Sequence, residues 1–357
     1  MLYQALKYSF ANKNEKFFDF FLKKYQKFQI HNFFLDLQIA KYCIDNPFVY
    51  FADKKEKKRL LDLYKKNLLA KKEDFQLGEW LIFPWNKVIY HLINHQDYLD
   101  LLSNRNRNLI TSEEQKKLSN SKICLAGLSV GSNIFISLVR AGIGNYFKIA
   151  DFDTVEAHNL NRAYFTLNDL NKEKTEIIKD KAFTINPYLI IDVWKRGLNV
   201  KQVDRFVKDC DLIIDAFDHF ETKIALRKAA KKYKKPIISG WDLSNGAVLI
   251  VERYDLEPNL DLKLFLNNNK EADILAEFKN IKSKTNTFIK IIGKENHDKK
   301  MLQSVYQVGK TLTSYPQTII ATNFTSSLFT IATINVLLGR KKYSIRKYIN
   351  LDNIIKK

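Results

Sequence analysis

Apolar residues in the first hundred positions recur at spacings near three and four. Phe17, Phe18, Phe20 and Phe21 lead into Leu22, Tyr25 and Phe28, and Leu60, Leu61, Leu63, Tyr64, Leu68 and Leu69 repeat the period. That spacing predicts helices with one buried face. Residues 78–85 read as a shorter extended or turn segment, because Pro84 biases Phe83 away from helix. A smaller, mainly helical N-terminal domain is therefore expected over residues 1–102. The pattern changes at Lys122. Residues 123–126, 147–150, 189–193, 212–216 and 236–239 are short apolar runs that predict strands. Between them, 132–140, 172–185, 200–208 and 222–233 have helical spacing, the second stopped near Pro187. This alternation predicts an α/β fold with a doubly wound, mostly parallel sheet over residues 103–357. In such sheets ligands sit beyond the carboxyl ends of the strands.

Composition narrows the classes. The 357 residues include 59 Lys or Arg and 39 Asp or Glu, a net charge of +20. With 46% hydrophobic and 13% aromatic residues, the chain is globular rather than disordered. The charge invites a nucleic-acid partner. The lysines, however, sit in runs such as 54–58 and 231–235, which read as solvated helix faces. The N-terminal aromatics read better as a core under snorkelling lysines than as base-stacking platforms. No apolar run approaches the ~18 residues of a membrane span. The longest stretch, 329–339, is interrupted by Thr330, Thr333 and Asn335. No basic segment followed by an apolar one opens the chain, so no secretory signal is expected and the expected location is cytoplasmic. Cys43, Cys124 and Cys210 cannot build a disulfide framework, and no C-x-x-C pair offers a zinc site. They are expected to be buried and inert, in a reducing compartment.

The candidate chemistry begins after the first strand of this domain, at Ala126-Gly127-Leu128-Ser129-Val130-Gly131-Ser132. A glycine-bearing turn from strand to helix presents backbone N–H groups to a phosphate. This makes Gly127, Ser129, Gly131 and Ser132 candidate binding residues. Asp151 lies 20 residues past Gly131 at the end of the next strand, where an acidic residue typically binds ribose hydroxyls. A nicotinamide nucleotide fits this much equally well. Asp153, Asn159, Arg162, Lys174 and Asp218 argue against it, because hydride transfer has no task for them. Cleavage of a phosphoanhydride does. Cations neutralise charge on the α-phosphate and the leaving pyrophosphate, and a carboxylate holds Mg²⁺.

Asp151, Asp153, Val155, Asn159, Leu160 and Arg162 meet in full the Asp-x-Asp-x-Val-x-x-x-Asn-Leu-x-Arg pattern of the ThiF/MoeB/HesA adenylyltransferases. That superfamily includes the ubiquitin-activating enzymes. The chain resembles them over about residues 103–340, with further matches at Ile185-Asn186-Pro187, Tyr315-Pro316-Gln317 and Leu337-Leu338-Gly339. The resemblance implies a Rossmann-like domain that uses ATP and Mg²⁺. Asp151 would bind the ribose, with Asp153 in the same nucleotide-binding pattern. Asn159 and Arg162 would contact phosphates, Lys174 the leaving pyrophosphate, and Asp218 would hold Mg²⁺. Arg107 resembles the arginine that reaches the ATP of the partner subunit, which implies a homodimer. In that family a carboxylate, usually the C-terminus of a small protein or peptide, attacks the α-phosphorus and yields an acyl-adenylate plus pyrophosphate. Positioning and charge stabilisation suffice for this step.

The sequence departs from the family at identifiable places. Ala126, Leu128 and Ser129 replace the first three glycines of Gly-x-Gly-Gly-x-Gly. A branched side chain at 128 is expected to obstruct phosphate or to force a reshaped turn, with Gly127 shifting it. His219 and Lys223 stand where the family commonly has Asn and Arg. Residues 240–316 contain no cysteine, so neither zinc nor a thioester step is expected. The leading expectation is adenylation of a protein or peptide C-terminus, or of a small carboxylate. A tRNA-modifying, dehydratase-like relative, which the positive charge suits, and a non-catalytic scaffold are the alternatives.

Overall fold

The computed structural model describes residues 1–279 and 284–355, and the chain divides into two units. Its strands, in chain order, are β1 (Leu2–Gln4), β2 (Leu6–Tyr8), β3 (Gln29–Asn32), β4 (Glu79–Phe83), β5 (Val88–Leu92), β6 (Lys122–Ala126), β7 (Tyr146–Ala150), β8 (Ile190–Trp194), β9 (Leu212–Asp215), β10 (Ile237–Leu243), β11 (Gly246–Glu252) and β12 (Ile345–Asn350).

The smaller unit comprises Tyr3–Ser112 and Pro187–Ile190. Its helices Glu15–Lys24, Phe34–Asp45, Lys54–Leu68 and His95–Leu102 carry more residues than its strands, as the 3.6-residue period predicts. Asn14 and Asp53 start two of them by accepting backbone N–H bonds from the first turn. The sequence pattern did not reveal a four-stranded sheet, ordered β2-β4-β5-β3. Residues 78–85 supply its β4, which pairs antiparallel with β5. Phe10, Phe21, Trp80, Ile82 and Ile89 form a buried core against which Phe18, Tyr25 and Phe28 pack. These aromatics are therefore core, as their spacing implies.

The larger unit contains a sheet with its strands in the order β8-β7-β6-β9-β10-β11-β12. β6 runs parallel to both β7 and β9, and β9 runs parallel to β10. β10, β11 and β12 are antiparallel neighbours. β9 is buried throughout, which explains its unbroken apolar run. The chain moves from β6 to β7 on one side and returns on the other side to β9. This leaves a crevice at the carboxyl ends of β6 and β9, where the winding reverses.

Two expectations need correcting. Cys124 and Cys210 are both fully buried, yet they are bonded to each other as a disulfide across 86 residues, while Cys43 is free. The apolar stretch placed at 329–339 also belongs to a longer helix, Ile319–Leu337. Among the described residues this is the one helix long and apolar enough to cross a membrane. It packs on β10, β11 and the helix Val130–Arg140. Thr322, Ser326 and Thr333 are buried along it.

Candidate active site

Two adjoining cavities occupy this crevice, of about 310 Å³ and about 210 Å³. Ser129, Asp153, Ala216, Phe217 and Asp218 line both, so they form one continuous cleft. The larger cavity adds Gly127, Asp151 and His219. The smaller adds Asn159, Arg162, Lys174, Trp241, Asp242, Tyr315, Gln317 and Thr325.

The turn after β6 is reshaped around Gly127. Its φ is +92°, and a Cβ there would lie 2.4 Å from the Ala216 carbonyl oxygen. Glycine is therefore required one position later than the first glycine of the family turn. Leu128 is fully buried and lines the larger cavity beside Gly127. Its N–H donates to Asp151 Oδ2 at 2.6 Å, and the Asp153 N–H donates to Asp151 Oδ1 at 2.8 Å. Burial pushes the Asp151 carboxyl up, opposed by Lys174 and by these two N–H bonds.

Gly131 and Ser132 line neither cavity. Gly131 lets the helix sit close to β6, since a Cβ there would lie 3.1 Å from Leu125. Ser132 is buried. Its Oγ donates to the Ser129 carbonyl at 2.7 Å and accepts from the Tyr164 N–H at 3.1 Å. It therefore anchors the segment that follows Arg162.

That segment is held from several sides. Asn159 is buried, and its Oδ1 accepts from the Glu156 N–H at 3.0 Å. The Arg162 carbonyl accepts from Asn133 Nδ2 at 3.0 Å and from Thr322 Oγ1 at 3.1 Å. Arg162 Nη1 donates to the His158 carbonyl and to Asn161 Oδ1 at 2.9 Å. Its Nε is buried with no hydrogen-bond partner among the described residues, an arrangement that leaves a donor for an anion. Lys174 opens the helix Lys174–Ile185. Its Nζ donates to Asp153 Oδ2 at 2.8 Å while its N–H donates to the Asp153 carbonyl at 3.1 Å.

Asp218 follows β9. It is exposed and opens onto both cavities. Desolvation pushes its carboxyl above the usual range, with Asp215 and Asp153 adding to the rise and Lys223 and Lys174 opposing it. Beneath it lies a fully buried charge network. Asp215 accepts from Lys223 Nζ and from Arg227 Nη1, each at 2.7 Å. Arg227 Nε lies 3.0 Å from Glu252 Oε2, and Tyr254 Oη donates to Glu252 Oε1 at 2.9 Å. Lys223, which stands at the family's arginine position, is thus a structural cation here.

Arg107 is exposed, belongs to the smaller unit and lines neither cavity. Sequence reasoning missed Asp242, the penultimate residue of β10. It is 5% exposed, and burial raises its pKa to about 6. Gln317 Nε2 lies 3.1 Å from each of its carboxylate oxygens. The signal available was an acidic residue closing an apolar run whose start is legible at Pro236.

The sequence profile of the ThiF family matches residues 103–354, and the chain belongs to that family. It is 30% identical over 238 residues to the uncharacterized protein MT1398 of Mycobacterium tuberculosis, covering 67% of this chain and 33% of that protein. It is 33% identical over 172 residues to the molybdopterin-synthase adenylyltransferase of Haemophilus influenzae, covering 45% of this chain and 70% of that one. The chain spans only about a third of the length of the first two curated relatives, the second being the adenylyltransferase and sulfurtransferase MOCS3 of Drosophila virilis. Among solved structures, the E. coli tRNA N6-threonylcarbamoyladenosine dehydratase TcdA aligns over 70% of this chain and 98% of its own, with a TM-score of 0.49 and 17% identity.

Proposed function

We propose that this chain is an ATP-dependent adenylyltransferase that converts a carboxylate into an acyl-adenylate with release of pyrophosphate. The observation that carries this reading is the convergence of Asp151, Arg162, Lys174 and Asp218 on one cleft, with a buried Arg162 Nε left for an anion. Asp151, already oriented by two backbone N–H groups, would take the ribose. Arg162 and Lys174 supply positive charge beside the phosphates, where such charge stabilises the transition state most. Lys174 is held to Asp153, so its position is fixed before substrate arrives.

The donor set at Asp218 suits Mg²⁺. That ion takes one or two carboxylates plus phosphate oxygens and water rather than a protein cage. Among the described residues no group of three or more His, Cys, Asp or Glu able to hold a metal occurs. When bound, Mg²⁺ would neutralise phosphate charge. Arg107 would act on the ATP of a second copy, which makes the working species a homodimer.

The test is ATP–pyrophosphate exchange. Asp218→Ala and Arg162→Ala should each abolish exchange while retaining the wild-type fold by circular dichroism. Wild-type exchange in either variant refutes the assignment. A monomeric mass by light scattering from a fully active preparation refutes the role in trans of Arg107.

A further inference from the structure

We infer that Asp242 is the seat of a substrate ammonium group, and that the carboxylate activated here belongs to a small amino-carboxylate such as a free α-amino acid. This rests on the adenylation reading above.

Asp242 is the penultimate residue of β10, lines the 210 Å³ cavity and has no ion pair among the described residues. The other side chain that bonds it is the single amide of Gln317. The contrast within the same sheet is Asp215, equally buried but held by two cations at 2.7 Å. A buried carboxylate without a cation is unfavourable unless a ligand supplies one. The surroundings select the type of cation. Phe329 and Tyr315 line the same cavity, as do Phe217 and Trp241, whose rings already hold the Lys223 ammonium at 5.3 and 5.6 Å, and aromatic faces favour ammonium. Magnesium would require further oxygen ligands instead.

The same cavity offers the opposite polarity as well. Thr325 Oγ1 is buried without a hydrogen-bond partner among the described residues and lines it, beside the positive charge of Arg162 that serves the phosphates. Donors for an anion and an acceptor for a cation thus share one small space, which is the pattern of a zwitterion. The last residue of a peptide carries a carboxylate but a neutral amide nitrogen, so it would leave Asp242 unpaired. A free amino acid satisfies both ends. In the reaction one carboxylate oxygen bonds to the α-phosphorus. The bond from that phosphorus to the oxygen bridging to the β-phosphate breaks, and its electron pair leaves with pyrophosphate. No proton moves, and the ammonium stays on Asp242.

The experiment compares ATP–pyrophosphate exchange by the wild-type protein on free α-amino acids, on their des-amino counterparts and on short peptides, with MgATP binding measured separately by calorimetry. At least one amino acid should exchange about tenfold or more faster than its des-amino counterpart, since a site built for a polar group rejects the analogue lacking it. Asp242→Asn should raise KM for that amino acid about tenfold or more, well beyond any fall in kcat, and leave MgATP affinity within about twofold. Equal exchange with des-amino acids, or exchange with peptides and none with free amino acids, overturns this inference alone. An unchanged KM in a folded Asp242→Asn variant does the same. Failure of the wild-type protein to bind MgATP overturns the adenylation reading and this inference with it. The wild-type comparison stands even if the variant does not fold.

Discussion

Removing one cation from the buried network beneath the cleft tests the account of how Asp218 is supported. Lys223→Met keeps the length and apolar stem of the side chain but deletes its charge. In the native network Lys223 and Arg227 balance Asp215 and Glu252, all fully buried. After the change one guanidinium faces two carboxylates. Breaking a buried pair by removing one partner costs about 3–5 kcal/mol. For a unit of this size that is a fall in Tm of roughly 6–20 °C. The two carboxylates differ in sign. Asp215, with two cations, is held below its usual range despite its burial, whereas Glu252, which shares Arg227 and a tyrosine hydroxyl, is pushed above it by burial. The folded pKa of Asp215 is thus depressed. Its contribution is full above the unfolded value of 3.8 and is lost as pH falls through the folded value. Urea unfolding at pH 7 should show the full gap between wild type and variant, and the gap should narrow below about pH 4. A gap under about 1 kcal/mol at pH 7, or one that is unchanged at low pH, would refute the reasoning.

Gly127→Ala places a Cβ 2.4 Å from a carbonyl oxygen at a φ of +92°, so it should destabilise by about 1–3 kcal/mol and weaken MgATP binding. Urea unfolding and calorimetry check this, and wild-type behaviour in both would mean that the turn does not need glycine. Asp242 has a folded pKa of about 6, raised from 3.8. The stability it contributes is present below the unfolded value and lost as pH rises through the folded one, at a cost of roughly 3 kcal/mol. Asp242→Asn should therefore stabilise the unliganded protein at pH 7 by about 1–3 kcal/mol, with no gain at pH 4. A less stable variant at pH 7 contradicts this. For the same reason the KM for an amino-carboxylate should rise as pH falls below about 6, because protonated Asp242 no longer offers a charge.

The parallel half of the larger unit was legible because its strands are short, buried and separated by helices with a clear period. Residues 123–126 and 147–150 correspond to β6 and β7 with one added residue at the start of each. The sheet in the smaller unit was not legible. β2 has three residues, and β3 reads Gln-Ile-His-Asn, too short and too polar for any period to show. In the site, Asp151 was readable from its spacing, and Arg162, Lys174 and Asp218 from the resemblance; all four line the cleft. Ser132 was not, because a serine one turn into a helix can face phosphate or bond backward, and here it does the latter. Asp242, Tyr315 and Gln317 meet only through the fold, 75 residues separating Asp242 from Gln317. The Cys124–Cys210 bond is equally silent in the sequence, since neither spacing nor neighbours mark the pair.

That bond divides the site by covalent topology. The ring it closes contains the Gly127 turn, Asp151, Arg162 and Lys174, while Asp218 and Asp242 lie outside it. Closing a loop of 86 residues removes denatured-state entropy worth about 4–5 kcal/mol at 25 °C in the chain-entropy treatment. The ring also means that a single protease cut anywhere between the two cysteines leaves one molecule, with both flanks of the cut still tethered until a reductant is added. The half of the cleft built from Gly127, Asp151, Arg162 and Lys174 thus stays connected after nicking. A cut between Cys210 and Asp218 instead breaks the covalent link from the ring to Asp218 and Asp242.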